Sequence, residues 1–201
     1  RLAPAERREQ ILRVADEVFR AHPYDEVSLD QIADAAGITR GLISHHFGTK
    51  RELYVEVVRR LMRTPTLPVP EYVQGATARS RLDESVDAWL TAIEASGDLY
   101  LAATSGSGMG DPEIAAIVEE TRDAAARRLA EVLGLGPVAE LSPVRLGLLR
   151  SWEALAEGAV RQWLEYGRLT REQVRRLMVE TAARSAEGLF EELEAAAPAA
   201  P

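Results

Sequence analysis

Arg40, Ser44, His45, His46 and Lys50 crowd one short stretch of the chain. Together they offer fixed positive charge, a hydroxyl and two imidazoles, all able to donate hydrogen bonds. One chemistry open to this set is metal binding through His45 and His46. Neighbouring positions on a helix point about 100° apart, and no Cys, Asp or Glu stands nearby in a ligand spacing. No metal site is therefore expected. The other chemistry is attachment to a polyanion. Elsewhere, Gly106-Ser107-Gly108-Met109-Gly110 is glycine-rich, but no strand precedes it and no lysine follows, so it reads as an inter-helix loop and not a phosphate cradle. No nucleophile–base arrangement stands out, and two of the three histidines lie in the polar stretch itself. Neither an enzyme nor a cofactor is expected.

A net charge of −8 over 201 residues is the wrong sign for a polyanion binder. Its distribution matters more: residues 1–63 carry a net +1 and residues 64–201 a net −9. Only the first segment can approach a polyanion without strong repulsion. The composition, 46% apolar and 28% charged, is that of a globular chain. With no cysteine there are neither disulfides nor thiolate metal sites. No apolar run approaches the roughly 18 residues of a membrane span, and Arg1–Arg8 holds no apolar signal core. A cytoplasmic location is expected.

The elements that must position these residues are helical, and no alternating strand pattern is found. A first helix is expected over 4–22, with Pro4 in its first turn and Ile11, Ala15, Val18 and Phe19 on one face. Ser28 and Gln31 have capping-box spacing. They open a short helix with Ile32, Ala35 and Ala36 on its apolar side, stopped by Gly37. Thr39 caps a third helix that ends near His46. Thr49 and Glu52 form another capping box, opening a fourth helix with Leu53, Val57 and Leu61. Two short helices around a Gly-Ile-Thr turn have helix-turn-helix geometry. Ile43 and Phe47, at i and i+4, can pin the second of them and leave Arg40, Gly41, Leu42, Ser44 and His45 outward. A short helix pinned on one side and polar on the other suits the major groove of DNA. Gly41 costs helix propensity but permits close approach to a backbone.

The pattern Ile32-Ala33…Ala36-Gly37-Ile38-Thr39-Arg40-Gly41…His46-Phe47…Lys50-Arg51-Glu52-Leu53 resembles the DNA-binding domain of the TetR family of bacterial repressors, over about residues 7–63. The rest of the chain resembles that family in helix count and order. The resemblance implies phosphate contacts for Ser28 and Thr39 at helix N-termini, and a base edge for Arg40, such as guanine O6/N7. It also implies a thymine methyl for Leu42, and the phosphate backbone for His46 and Lys50. Lys50 is the sole lysine beside 23 arginines. Family members often carry aromatic residues where this chain has Ser44 and His45, so its base preference does not follow from theirs.

Thr64-Pro65-Thr66-Leu67-Pro68-Val69-Pro70 breaks the helical pattern, which places the domain boundary between a DNA-binding domain, 1–63, and a larger helical domain, 64–201. Helices are expected there at 80–96, 112–133, 143–166 and 171–195. The last two carry apolar or small residues around half their circumference or more, wider than the roughly 100° stripe of a surface helix. Burial on two sides, by the domain and by a second copy, accounts for this. Leu149, Trp163, Leu177, Thr181, Ser185, Gly188 and Leu189 are the expected interface positions of a homodimer. The resemblance further implies a cavity for a small-molecule effector, with Trp89, Ile93, Tyr100, Met109, Ile117, Trp152 and Leu155 as candidate lining. The expected architecture is all-α, with a three-helix helix-turn-helix domain followed by an effector-binding and dimerisation domain. The leading expectation is a repressor released from double-stranded operator DNA by a hydrophobic effector. A ligand-independent regulator, or a small-molecule carrier with a vestigial DNA-binding fold, remain open beside it.

Overall fold

Pro4, with its φ preset and no amide hydrogen to lose, starts the first helix, and the Ala3 amide donates to the Glu6 carboxylate at 2.7 Å. The computed structural model describes residues 3–63, 77–105 and 110–196. No strand occurs among them. The helices are α1 (Pro4–Ala21), α2 (Leu29–Ala36), α3 (Arg40–Phe47), α4 (Lys50–Arg63), α5 (Ala78–Glu94), α6 (Gly97–Thr104), α7 (Pro112–Leu133), α8 (Pro143–Leu164), α9 (Arg171–Arg184) and α10 (Phe190–Ala195). Short 3-10 turns occur at Tyr24–Glu26 and Val138–Glu140. The chain divides into two compact units, the first formed by Arg1–Thr64 with Ser96–Val118, the second by Pro65–Ala95 with Glu119–Pro201.

In the first unit α1 packs on α2, α4 and α6, and α3 lies against α2 and α4. Ile11, Leu12, Ala15 and Phe19 of α1 are buried with Ile32, Ile43, Leu53, Val57 and Val58. Helix α6 was not expected from the sequence. Its eight residues sit between Ser96-Gly97 and the glycine-rich stretch, both of which read as breaks. It forms because Leu99, Tyr100 and Ala103 are buried in the first unit, where α6 packs on α1 and α4. Residues 96–105 and 110–118 therefore group with the N-terminal helices, although 64–201 was expected to form one domain along the chain.

The second unit holds α5, α8, α9, α10 and α7 from Glu119 onward. The Ser142 and Thr170 hydroxyls cap α8 and α9 by accepting from the Arg145 and Gln173 amides. Leu82, Val86, Leu90, Leu129, Leu149, Val160, Val174 and Met178 are buried here. The helix expected over 171–195 is not continuous. A wide π-turn spans Ser185–Leu189, because Gly188 leaves the helical region at φ 159° and ψ −26°.

Candidate nucleic-acid interface

Helix α3 is set by its ends and its inner side. Gly37 closes α2 in the left-handed region at φ 64°, a conformation that glycine adopts without a Cβ penalty. Two residues on, the Thr39 hydroxyl accepts from the Leu42 amide at 3.3 Å. Ile43 and Phe47 are buried, and the Arg8 guanidinium lies 4.6 Å from the Phe47 ring centroid. Thr39, Arg40, Gly41, Ser44 and His45 are left exposed, with Leu42 and His46 half-buried. A Cβ on Gly41 would meet nothing within 4 Å. Packing inside the protein does not require glycine there; the surface is simply low and open. At the start of α2, the Ser28 hydroxyl accepts from the Gln31 amide at 3.1 Å while the Gln31 carbonyl oxygen accepts from the Ser28 amide at 2.6 Å. This is the capping box the sequence predicts, and Ser28 stays exposed.

Two cations of the set have partners that the sequence did not disclose. Arg40 Nη1 lies 3.1 Å from Asp30 Oδ2, with both side chains 63% exposed. The Lys50 ammonium donates to the carbonyls of Tyr24 and Val27, each at 2.9 Å, and sits 4.1 Å from the Tyr24 ring centroid. That ring packs on Tyr54 at 4.7 Å, and Tyr54 on Phe19 at 4.9 Å. Lys50 thus closes the 3-10 turn that leads into Ser28. No spacing signal reveals a lysine bound to backbone carbonyls more than twenty residues away. The His45 and His46 rings meet edge to face, 5.4 Å apart, and no cluster of metal-ligating side chains occurs among the described residues.

Further along α4, Arg51 grips Asp111 through Nε and Nη2, each at 2.6 Å, and approaches Glu113 at 3.3 Å. The Arg51 hydrogen bonds hold Asp111 below the ordinary carboxylate range. Asp111 also accepts from the Glu113 amide at 3.0 Å, so the same carboxylate caps α7.

In the second unit, a cavity of about 180 Å³ is bounded by α7, α8, α9 and the π-turn, with Leu129, Leu148, Trp152, Leu155, Thr181 and Ser185 among its walls. Two expected lining residues, Trp152 and Leu155, are therefore at a cavity, and the Trp152 indole donates to the Met178 carbonyl at 3.0 Å. Trp89 and Ile93 are buried in the core of this unit, whereas Tyr100 and Ile117 are buried in the first unit. The expected lining set is therefore not a single site within one unit. Met109 lies outside the described residues. Of the expected interface positions, Leu149 is 1% exposed within its own unit. It is core, because it faces inward on α8 with Ala156 and Val160, and it cannot serve a partner. Trp163, Leu177, Thr181, Ser185 and Gly188 are half-buried, and Leu189 is 42% exposed. Leu146, Leu155 and Leu193 are exposed as well. The Thr181 and Ser185 hydroxyls donate to Leu177 and Thr181 carbonyls of their own helix, each at 2.7 Å, and so present an apolar side.

Residues 11–57 match the model of the tetR family of bacterial regulatory proteins, and residues 78–185 match the tetracyclin repressor-like C-terminal domain. The HTH-type transcriptional activator FasR of Mycolicibacterium smegmatis is 29% identical over 172 residues, which is 84% of this chain and 77% of that protein. The HTH-type transcriptional repressor KstR2 of the same organism is 38% identical over 56 residues, covering 28% of this chain and 27% of that one. The repressor AcnR of Corynebacterium jeikeium is 37% identical over 59 residues, 29% of this chain and 31% of its own. Among solved structures, a tetR-family transcriptional regulator from Streptomyces coelicolor superposes with a TM-score of 0.81 at 26% identity, over 98% of this chain and 92% of that one.

Proposed function

The chain belongs to the TetR family of bacterial transcriptional regulators, and from that premise we propose that it is a homodimeric repressor that leaves a palindromic operator when a small hydrophobic effector enters its second unit. As a DNA-binding regulator it is not an enzyme. The observation that carries the reading is α3. Two turns of helix are pinned by Ile43 and Phe47 and present Thr39, Arg40, Gly41, Ser44 and His45 outward, the presentation a major-groove reader needs. On this reading Ser28 and Thr39 meet phosphates at helix starts, Arg40 and Leu42 meet base edges, and His46 meets the backbone. Lys50 has two of its three N–H groups committed within the protein, so its main part is to hold Ser28 in place. Two copies of α3 held a helical turn apart read an inverted repeat. The exposed leucines of α8 and α10 with half-buried Trp163, Leu177, Thr181, Ser185 and Gly188 supply the self-complementary apolar face of a dimer.

The 180 Å³ cavity with its leucine and tryptophan walls suits a small apolar molecule. No helix among the described residues is long and apolar enough to cross a membrane, in keeping with a cytoplasmic protein. Nuclease footprinting on the DNA that flanks the chain's own gene tests the reading. A protected inverted repeat that is released by a small molecule supports it, and the absence of any protected segment overturns it. A second reading, activation, is favoured by FasR, the activator that matches 84% of the chain. Transcript levels of the adjoining genes after deletion decide between the two, since a repressor's targets rise and an activator's fall.

A further inference from the structure

Glu153 is an acid where an apolar residue belongs. It sits on the inward stripe of α8 with Leu149, Ala156 and Val160 and is 6% exposed. Neither of its carboxylate oxygens accepts a hydrogen bond. A buried polar group left in this state is costly and calls for an explanation. The neighbouring cations make their close hydrogen bonds elsewhere, and only Arg150 pairs loosely with Glu153. Arg122 makes a fork to both oxygens of Glu157, each at 2.8 Å, and also reaches Glu119. Arg150 turns to Asp123 and comes no closer than 3.5 Å to Glu153, beyond the range of a good N–H···O bond. Two guanidiniums thus serve four carboxylates, Glu119, Asp123, Glu153 and Glu157, and the one in deficit is the buried one. Helix α9, which also packs on α8, brings no cation within ion-pairing distance of Glu153 among the described residues.

Glu153 is not itself a wall of the cavity, which begins one turn away along the same helices. Leu149, one turn before Glu153 on the same face of α8 and about 6 Å away along its axis, is one of its walls. On α7, Leu129 is another wall, and only the small, buried Ala126 separates it from Arg122 on that stripe. The geometry points to a ligand with an apolar body in this cavity and a cationic, hydrogen-bond-donating head, such as an alkylammonium, placed against the Glu153 carboxylate. This rests on the effector reading above and narrows it to the class of amphipathic amines.

The test uses the full chain with octylamine, octanol and octanoate, which share a body and differ in the head. Octylamine should bind at least about tenfold more tightly than octanol or octanoate, the worth of a charge-assisted hydrogen bond. Glu153→Gln should erase that preference. A carboxyl that burial has pushed up to about 7 adds a signature that needs no variant. An alkylamine, like a lysine, stays protonated from pH 6 to pH 8, so octylamine should bind the wild type about tenfold more tightly at pH 8 than at pH 6. Octylamine binding no better than octanol, or unchanged affinity in Glu153→Gln, overturns the assignment. Should Glu153→Gln fail to fold, a flat pH response of the wild type overturns it instead. Operator competition separates the two readings. If octanol or octanoate loosens operator DNA and octylamine does not, the effector reading stands and the role of Glu153 falls. If octylamine binds through Glu153 and leaves operator affinity untouched, the reverse holds.

Discussion

The ammonium of Lys50 rests on the face of Tyr24, 4.1 Å from its centroid, and binds that residue's own carbonyl at 2.9 Å. One side chain therefore holds both the ring and the backbone of the turn that precedes Ser28. A lysine whose only task is to meet a phosphate predicts that Lys50→Ala lowers the log–log salt slope of operator binding by about 1.8 per dimer, at about 0.9 per contact. The clamp predicts something else. The slope should stay the same, affinity for operator and scrambled DNA should fall together, and the isolated protein should lose about 1–2 kcal/mol of stability from two charge-assisted hydrogen bonds. Urea unfolding and binding titrations at three salt concentrations distinguish the two outcomes.

Arg40 and Asp30 form a pair so exposed that it is worth about 0–1 kcal/mol. A bidentate contact with guanine is worth about 1–3 kcal/mol of discrimination, so DNA can draw Arg40 away from Asp30. Arg40→Ala is expected to weaken operator binding more than binding to scrambled DNA and to relax preference at one symmetric pair of positions. Asp30→Asn is expected to do the opposite to non-specific binding and raise it, because it removes a negative charge beside the path of the phosphates. Competition assays with single-base operator variants read both effects.

The contrast between Leu189 and Leu149 isolates the dimer face. Leu189 is 42% exposed in one protomer and Leu149 1%. Leu189→Arg should leave the fold intact and yield particles of one 22.0 kDa chain, since an unpaired charge would be buried only on association. Leu149→Arg should unfold the second unit whatever the oligomeric state. Light scattering over a dilution series, beside circular dichroism, checks both. A wild type that is monomeric at micromolar concentration removes the interface altogether.

What was legible in the sequence was local. The Ser28–Gln31 and Thr49–Glu52 caps are bonds between residues three apart, and Gly37 ends its helix by its own φ. Any helix that begins or ends there needs those residue types at those offsets. The polar outer side of α3 followed from the burial of Ile43 and Phe47, again within one helix. The unread features depend on partners far along the chain. Lys50 answers to carbonyls at 24 and 27, Arg51 to a carboxylate at 111, and α6 to α1 and α4. The π-turn at Gly188 was missed because a lone glycine within a helical pattern is usually tolerated. Nothing in the sequence singles out Glu153, since its burial depends on how α8 is rotated in its unit.

That burial has a consequence for stability. Glutamate ordinarily titrates near 4.5, and burial, only partly offset by Arg150, pushes Glu153 up to about 7 in the folded protein. Between those two values the folded state holds a proton that the unfolded chain has lost. The contribution of this group is therefore full below about 4.5 and is lost as the pH rises through about 7. Glutamine at 153 cannot ionise and is free of that loss. The stability of Glu153→Gln minus that of the wild type should accordingly grow from pH 5 to pH 8, by on the order of 1–3 kcal/mol. All other ionisable groups are common to both proteins and cancel in the difference. Urea unfolding of the two proteins in ligand-free buffer at pH 5 and pH 8 measures it. A difference that stays constant over this range would mean that the carboxylate is ionised inside the fold and has a cation at hand. The buried acid would then be an internal ion-pair member, with no need of a ligand's charge.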